Sequence, residues 1–177
     1  MDRSAPEPVA RLAALLRAGQ SDELRRHPGP CAPRRTDRLY PRVLALGAAK
    51  APDADAILEF SEAAKTAIVV ERALHAGYLA QFGIDPKAAE GAAQTPACEA
   101  YVNFMLATAV TDSFAVLAAA VLPCFWLYQD VGTAIAAHSP PGNFYQAWID
   151  TYADEGFADA TRRMQANAAS RICWYST

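Results

Sequence analysis

The stretch DSFAVLAAAVLPCFWLYQDVGTAIAAH, residues 112–138, decides the fold. Between Asp112 and Asp130 it carries no charged side chain, and it reads as one long apolar helix. A kink is expected at Pro123, whose ring displaces the carbonyl four residues earlier and removes one backbone donor. A helix this apolar needs apolar neighbours, and the flanking segments supply them. Upstream, TPACEAYVNFMLATAV opens at Thr95, which can cap a helix start, with Pro96 at the first helical position, where its missing N–H costs nothing. That helix should end near Thr111. Further upstream, APDADAILEFSEAAKTAIVVERALHAGYLAQFGI predicts a helix from an Asp53 cap to a stop at Gly83. Ile57, Phe60, Ala64, Ile68, Leu74, Tyr78 and Phe82 recur along it at helical spacing. GIDPKAAEGA then restarts with Asp85 as cap and Pro86 at the first position of a short helical turn.

Downstream, SPPGN breaks the chain before FYQAWIDTYADEGFADATRRMQANAA, one or two further helices with a break expected near Gly156. Nothing after residue 48 shows the period-2 alternation of strands, so the expected fold class is an all-α helical bundle. The first residues differ. PEPVARLAALLRAG can form an amphipathic helix, but QSDELRRHPGPCAPRRTDRL, residues 20–39, is rich in Pro and Arg without apolar periodicity and reads as a loop.

The 177 residues, 53% hydrophobic and 20% charged, suit one domain over 1–177 with one core. A net charge of −3 provides no basic face for nucleic acid, so no nucleic-acid partner is expected. No membrane partner is expected either, since the longest apolar run is interrupted at Pro123. The first residues lack the apolar core of a signal peptide, and a cytoplasmic location is the default expectation. Cys31, Cys98, Cys124 and Cys173 form no C-x-x-C pair, which predicts reduced thiols.

Three groups of side chains can carry chemistry. Cys124 follows Pro123 in apolar surroundings, and Tyr128, at i+4, shares its side of the helix. Such a cysteine is either a small buried residue or a nucleophile, and only a positive partner, a helix N-terminus or an acid/base group makes it the latter. Glu71 and His75 stand at i, i+4, a spacing for an acid/base or metal pair and equally for a helix-face ion pair. Tyr101, Tyr128, Tyr145, Tyr152, Phe125, Trp126 and Trp148 are core aromatics or the walls of a site for a flat ring. No phosphate loop, Ser-His-Asp order or metal-ligand cluster is present, and no metal is expected.

ACEAYVNFMLATA, LPCFWLYQDVG and NFYQAWIDTYADEGFADAT, in this order and separation, resemble the TenA family, also called thiaminase II or aminopyrimidine aminohydrolase. The resemblance runs over about residues 40–164, includes YPRVLALGAAKAPD, and implies a haem-oxygenase-like helical bundle without haem, assembled as a homotetramer. It implies that Cys124 is the nucleophile and that Tyr101, Tyr128 and Tyr152 bind the pyrimidine. The implied reaction of thiamin salvage is thiolate addition to an electron-poor carbon of an aminopyrimidine, 4-amino-5-aminomethyl-2-methylpyrimidine or thiamin, then expulsion of the amine or thiazole and hydrolysis, with no cofactor. Two segments depart from the family. Its QD-x-x-Y helix has no match in residues 20–39, where the aspartate's place falls at Pro33, the second aromatic's at Thr36, and Asp37 is out of register. Its C-terminal glutamate has no match in the divergent tail, residues 165–177. The departures imply impaired activity, or an inactive pyrimidine-binding or interaction protein.

Overall fold

The computed structural model describes residues 33–87 and 96–172, with side chains placed over 39–87 and 96–169. Six α-helices make up this part: α1 Pro33–Lys50, α2 Ala54–Gln81, α3 Pro96–Thr111, α4 Phe114–Ala136, α5 Gln146–Ala153 and α6 Glu155–Ile172. No strand occurs among the described residues, and the expected all-α bundle is the fold. The proposed helix over PEPVARLAALLRAG, the Thr95 cap and the 173–177 end of the tail lie outside the described residues.

α4 is the central helix, packed along one side against α6 and α5, while α1 packs against α2 and α3. Ser113 caps its start by accepting a hydrogen bond from the Val116 amide at 3.4 Å. The helix runs through Pro123 to Ala136 without a break. Pro123 therefore does not interrupt the apolar run: the helix as formed is long and apolar enough to cross a membrane by length and composition. One face of it serves a bundle core, with Phe114, Leu117, Ala118, Val121, Phe125, Val131 and Ile135 all buried against neighbouring helices, while Val116, Trp126 and Leu127 stay exposed. The first five join Val43, Leu44, Phe60, Val102, Met105 and Met164 in the main core. Val131 and Ile135 meet Ile149 in a second, smaller core under α5. Each large side chain fully removed from water here stabilises the fold by about 1.5–3 kcal/mol.

Helix ends follow local chemistry. Asp53 accepts from the Ala56 amide at 2.9 Å, capping α2 as its position predicted. α2 stops where Gly83 adopts φ +63, with the Ile84 amide donating to the Leu79 carbonyl and the Gly83 amide to that of Ala80. The expected apolar face of α2 holds from Phe60 and Ala64 to Phe82 and fails only at its first position, where Ile57 is exposed and Ala56 is buried. The break between the last two helices falls at Asp154, two residues before Gly156. At Asp85 the side chain accepts from the Lys87 amide, and the rest of that turn lies outside the described residues.

Two expectations are corrected. Residues 20–39 are not loop throughout, because α1 begins at Pro33. Proline is favoured at a first helical position, and the stripe that docks α1 starts only at the end of that segment, with Leu39 and Tyr40, then Val43, Leu44 and Gly47. A window closed at residue 39 therefore shows no periodicity. Cys98 is disulfide-bonded rather than reduced. The lack of a C-x-x-C pair does not bear on thiols distant in sequence, whose pairing depends on Cα separation in the fold.

Candidate active site

Five helices deliver side chains to one place on the inner side of α4. Cys124, half-buried, donates from Sγ to the Oη of Tyr101 on α3 at 3.5 Å, and Tyr101 in turn donates to the Ala120 carbonyl at 2.8 Å. Tyr40 of α1 also hydrogen-bonds Cys124. Tyr128 lies one turn beyond Cys124, and its ring centroid is 4.9 Å from that of Tyr152 on α5 and 5.9 Å from Trp148. Trp148 and Tyr152 are themselves 4.7 Å apart, and the edge of Phe157 closes on Tyr152 at 4.9 Å. These tilted pairs form a wall of π-faces, suited to a flat ring. From α2, the carboxylate of Glu71 accepts the Tyr152 hydroxyl, while its other oxygen is 3.8 Å from His75 Nε2.

All four sequence-predicted site residues, Cys124, Tyr101, Tyr128 and Tyr152, are thus brought together. The remaining aromatics divide. Phe125 faces the core, stacked on Phe157 at 6.0 Å, and Trp126 points to solvent. Tyr145 joins Tyr78 and Phe82 in a separate aromatic group. Sequence reasoning does not single out Tyr40 or Phe157, and it leaves Glu71 without its Tyr152 partner. Tyr40 stood in YPRVLAL with no role, and its buried neighbours at Val43 and Leu44 were the signal that it faces inward. Glu71 was read only with His75, since nothing local announces a partner 81 residues away. The family aspartate's place at Pro33, with Thr36 and Asp37, lies in the first turns of α1, where the side chains are outside the described part.

The electrostatics are those of a partly buried group of phenols and a thiol beside one carboxylate, with Tyr128 open to solvent on one side. Burial pushes the Cys124 thiol up from its ordinary value, hydrogen bonds with Tyr101 and Tyr40 pull it down, and the Glu71 carboxylate pushes it up again. Burial raises Tyr40, Tyr101 and Tyr128 as well, with the charge of Cys124 next in each case. For Tyr152, Glu71 is the next cause after burial. At neutral pH the site therefore holds phenols and a protonated thiol. No group of three or more metal-ligating side chains occurs among the described residues.

Position depends on close packing. Gly132 of α4 lets the Tyr152 backbone approach so near that a Cβ there would sit 2.8 Å from the Tyr152 carbonyl carbon. The Trp148 amide donates to Tyr78 Oη at 3.0 Å, tying α5 to α2. A mostly apolar groove of about 470 Å³ lies outside this cluster, lined by Val69, Ala73, Gly77, Tyr78, Phe144 and Thr151 among others, and contains none of the four predicted residues.

Residues 38–176 match the TENA/THI-4/PQQC family. The chain belongs to this family. Among TenA relatives, the thiamine biosynthesis multifunctional protein ThiED of Corynebacterium efficiens is 39% identical over 128 residues, 70% of this chain and 16% of its own length. The aminopyrimidine aminohydrolase of Halalkalibacterium halodurans is 34% identical over 124 residues, 68% of this chain and 54% of its own. The chain spans 50% of the corresponding Bacillus subtilis enzyme, at 31% identity over 119 residues, or 67% of this chain. In structure, a TenA homologue from P. horikoshii superposes with a TM-score of 0.65 at 22% identity, covering 94% of this chain and 71% of that one. The helical bundle is therefore the TenA fold, and the cluster around Cys124 lies within it.

Proposed function

We propose that the chain carries the hydrolytic site of an aminopyrimidine aminohydrolase of thiamin salvage, with Cys124 as nucleophile. The observation that carries this reading is the placement of the Cys124 thiol against two phenols, Tyr101 and Tyr40, beside the aromatic wall of Tyr128 and Tyr152. A flat pyrimidine stacked on that wall puts an electron-poor ring carbon within reach of sulfur. As the S–C bond forms, the thiol proton passes to a ring nitrogen, which makes the ring an electron sink. The amine then leaves with its bonding electrons, water adds where it left, and loss of sulfur restores the ring and the thiol. The net change exchanges an amino group, or the thiazole of thiamin, for a hydroxyl. Burial holds the free thiol protonated, so thiolate formation waits for a bound ligand able to accept the proton.

Exposed apolar residues Phe104 and Val110 on α3 and Val116 and Trp126 on α4 fit the homo-oligomer that the resemblance implies. The test of activity is incubation of the protein with 4-amino-5-aminomethyl-2-methylpyrimidine and with thiamin, following the hydroxymethyl product. Turnover that disappears in Cys124→Ser supports the reading. Turnover unchanged by that substitution removes Cys124 from the mechanism, and binding without turnover in either protein leaves a pyrimidine-binding protein.

A further inference from the structure

Glu71 is the one carboxylate hydrogen-bonded to a site tyrosine among the described residues, and it does more than pair with its helix neighbour. Its Oε1 accepts the Tyr152 hydroxyl across 81 residues of sequence, from a different helix. A phenol has one proton to give and lone pairs to offer. With that proton committed to Glu71, the Tyr152 oxygen has only acceptor capacity left. Glu71 adds acceptor capacity and negative charge, and its side chain keeps 32% of its exposure, so it is not sealed from a ligand. Among the described residues its one ion-pair partner is His75, at 3.8 Å, and no lysine or arginine neutralises it. Around Tyr152, the rings of Tyr128 and Trp148 lie 4.9 and 4.7 Å away, and ring faces attract cations. Acceptors, a negative charge and π-faces together describe a receptor for a cationic N–H donor.

We propose that Glu71 and Tyr152 form the subsite for a ligand's primary ammonium group, so that the site selects the cationic aminomethylpyrimidine over its neutral hydroxymethyl counterpart. The inference rests on the aminopyrimidine reading above and adds to it a recognition residue, Glu71, and an order of preference between substrate and product. Preference for the ammonium form also favours release of the alcohol after turnover. The charge of Glu71 opposes ionisation of Cys124, and a bound ammonium offsets that charge, so the same contact helps the thiol lose its proton.

The test is calorimetric titration of the full chain carrying Cys124→Ser, which binds without turning over, with 4-amino-5-aminomethyl-2-methylpyrimidine and with the hydroxymethyl analogue. The aminomethyl ligand is expected to bind at least about tenfold tighter, as a charge-assisted hydrogen bond exceeds a neutral one. Glu71→Gln, which keeps the shape and an acceptor for Tyr152, is expected to bring the two affinities within about threefold of each other by weakening the aminomethyl ligand. Equal affinities with Glu71 present, or a preference undiminished in E71Q, overturns the inference while leaving the aminopyrimidine reading intact. Failure of both ligands to bind the Cys124→Ser protein overturns both. Tyr152→Phe guards against a misfolded E71Q protein: it removes the acceptor oxygen without altering charge and is expected to weaken the aminomethyl ligand. Unchanged affinity in Y152F likewise sinks the proposal.

Discussion

Replacing Tyr101 by Phe deletes a single oxygen that makes two contacts, and the consequences of the two can be measured separately. The oxygen donates to the Ala120 carbonyl at 2.8 Å and accepts from Cys124 Sγ at 3.5 Å. The first contact bears on stability. A net intramolecular hydrogen bond is worth about 0.5–1.5 kcal/mol, so Y101F should unfold at lower denaturant by roughly 1 kcal/mol. The second bears on reactivity. Hydrogen bonding to Tyr101 lowers the Cys124 thiol against the upward push of burial, because the Tyr101 hydroxyl can turn its one proton from the Ala120 carbonyl to the sulfur as the thiolate forms, and it is the larger of the two phenol contributions. Without it the thiol pKa rises, and below that pKa each unit lowers the thiolate population about tenfold. The assay is the pH dependence of Cys124 alkylation by iodoacetamide, read on the Cys124 peptide by mass spectrometry so that other thiols do not contribute. Y101F is expected to alkylate about three- to tenfold more slowly at pH 7.5, with its rate profile moved to higher pH. An unchanged or faster rate in a folded Y101F protein would refute the view that Tyr101 supports the thiolate; a slower rate with a profile at the same pH would point to steric access instead.

Other perturbations follow from the same packing. Gly132→Ala places a methyl group 2.8 Å from the Tyr152 carbonyl carbon and Cβ, and should cost about 1–3 kcal/mol while weakening pyrimidine binding, because relief requires moving α5 and its site tyrosine; thermal melts and titration calorimetry check both effects. Alkali should unfold the protein cooperatively above pH 10. Tyr78 is pushed up to about 12, and Tyr40, Tyr101, Tyr128 and Tyr152 are raised too, mainly by burial, so above pH 10 the folded state holds more protons than the unfolded one and stability falls as pH rises. Tyrosinate absorbance and helical circular dichroism should change together, whereas ionisation of these tyrosines near pH 10 ahead of helix loss would contradict their burial.

What was legible in the sequence was whatever rests on local rules. The Asp53 cap, the Gly83 stop and the apolar identity of α4 depend on residues within a few positions of each other, and each is found where the rules put it. Ile57 shows the limit of periodicity: the stripe holds from Phe60 to Phe82, but at its start the buried position is Ala56 and Ile57 is exposed. The beginning of α1 was hidden for a similar reason, since its docking side chains start at Leu39, after the Pro- and Arg-rich run has passed. In the site, Cys124 and Tyr128 share one helix face and were readable as a pair, while Tyr101 and Tyr152 were placed by resemblance rather than by any local pattern. Tyr40 and Glu71 had neither advantage, because their roles exist only once α1 lies against α4 and the side chains of α2 reach α5.

The geometry also bears on how the thiol and its surroundings divide the work. Among the described residues, the groups that act on the Cys124 thiol are the phenols of Tyr101 and Tyr40 and the Glu71 carboxylate, and none of these supplies the positive charge that lowers a thiol pKa. A site built to hold a resting thiolate would place a lysine, arginine or helix N-terminus beside the sulfur, yet Cys124 lies near the middle of α4, far from its capped start at Ser113. Its phenol partners can stabilise a thiolate once it forms, but burial keeps it protonated until then. Activation by a cationic or ring-protonated ligand reconciles these facts, since such a ligand brings the missing charge and offsets Glu71 in the same step. On this account the reactivity of Cys124 depends on occupancy of the site, and in the free protein the protonated form shields this thiol from adventitious oxidation.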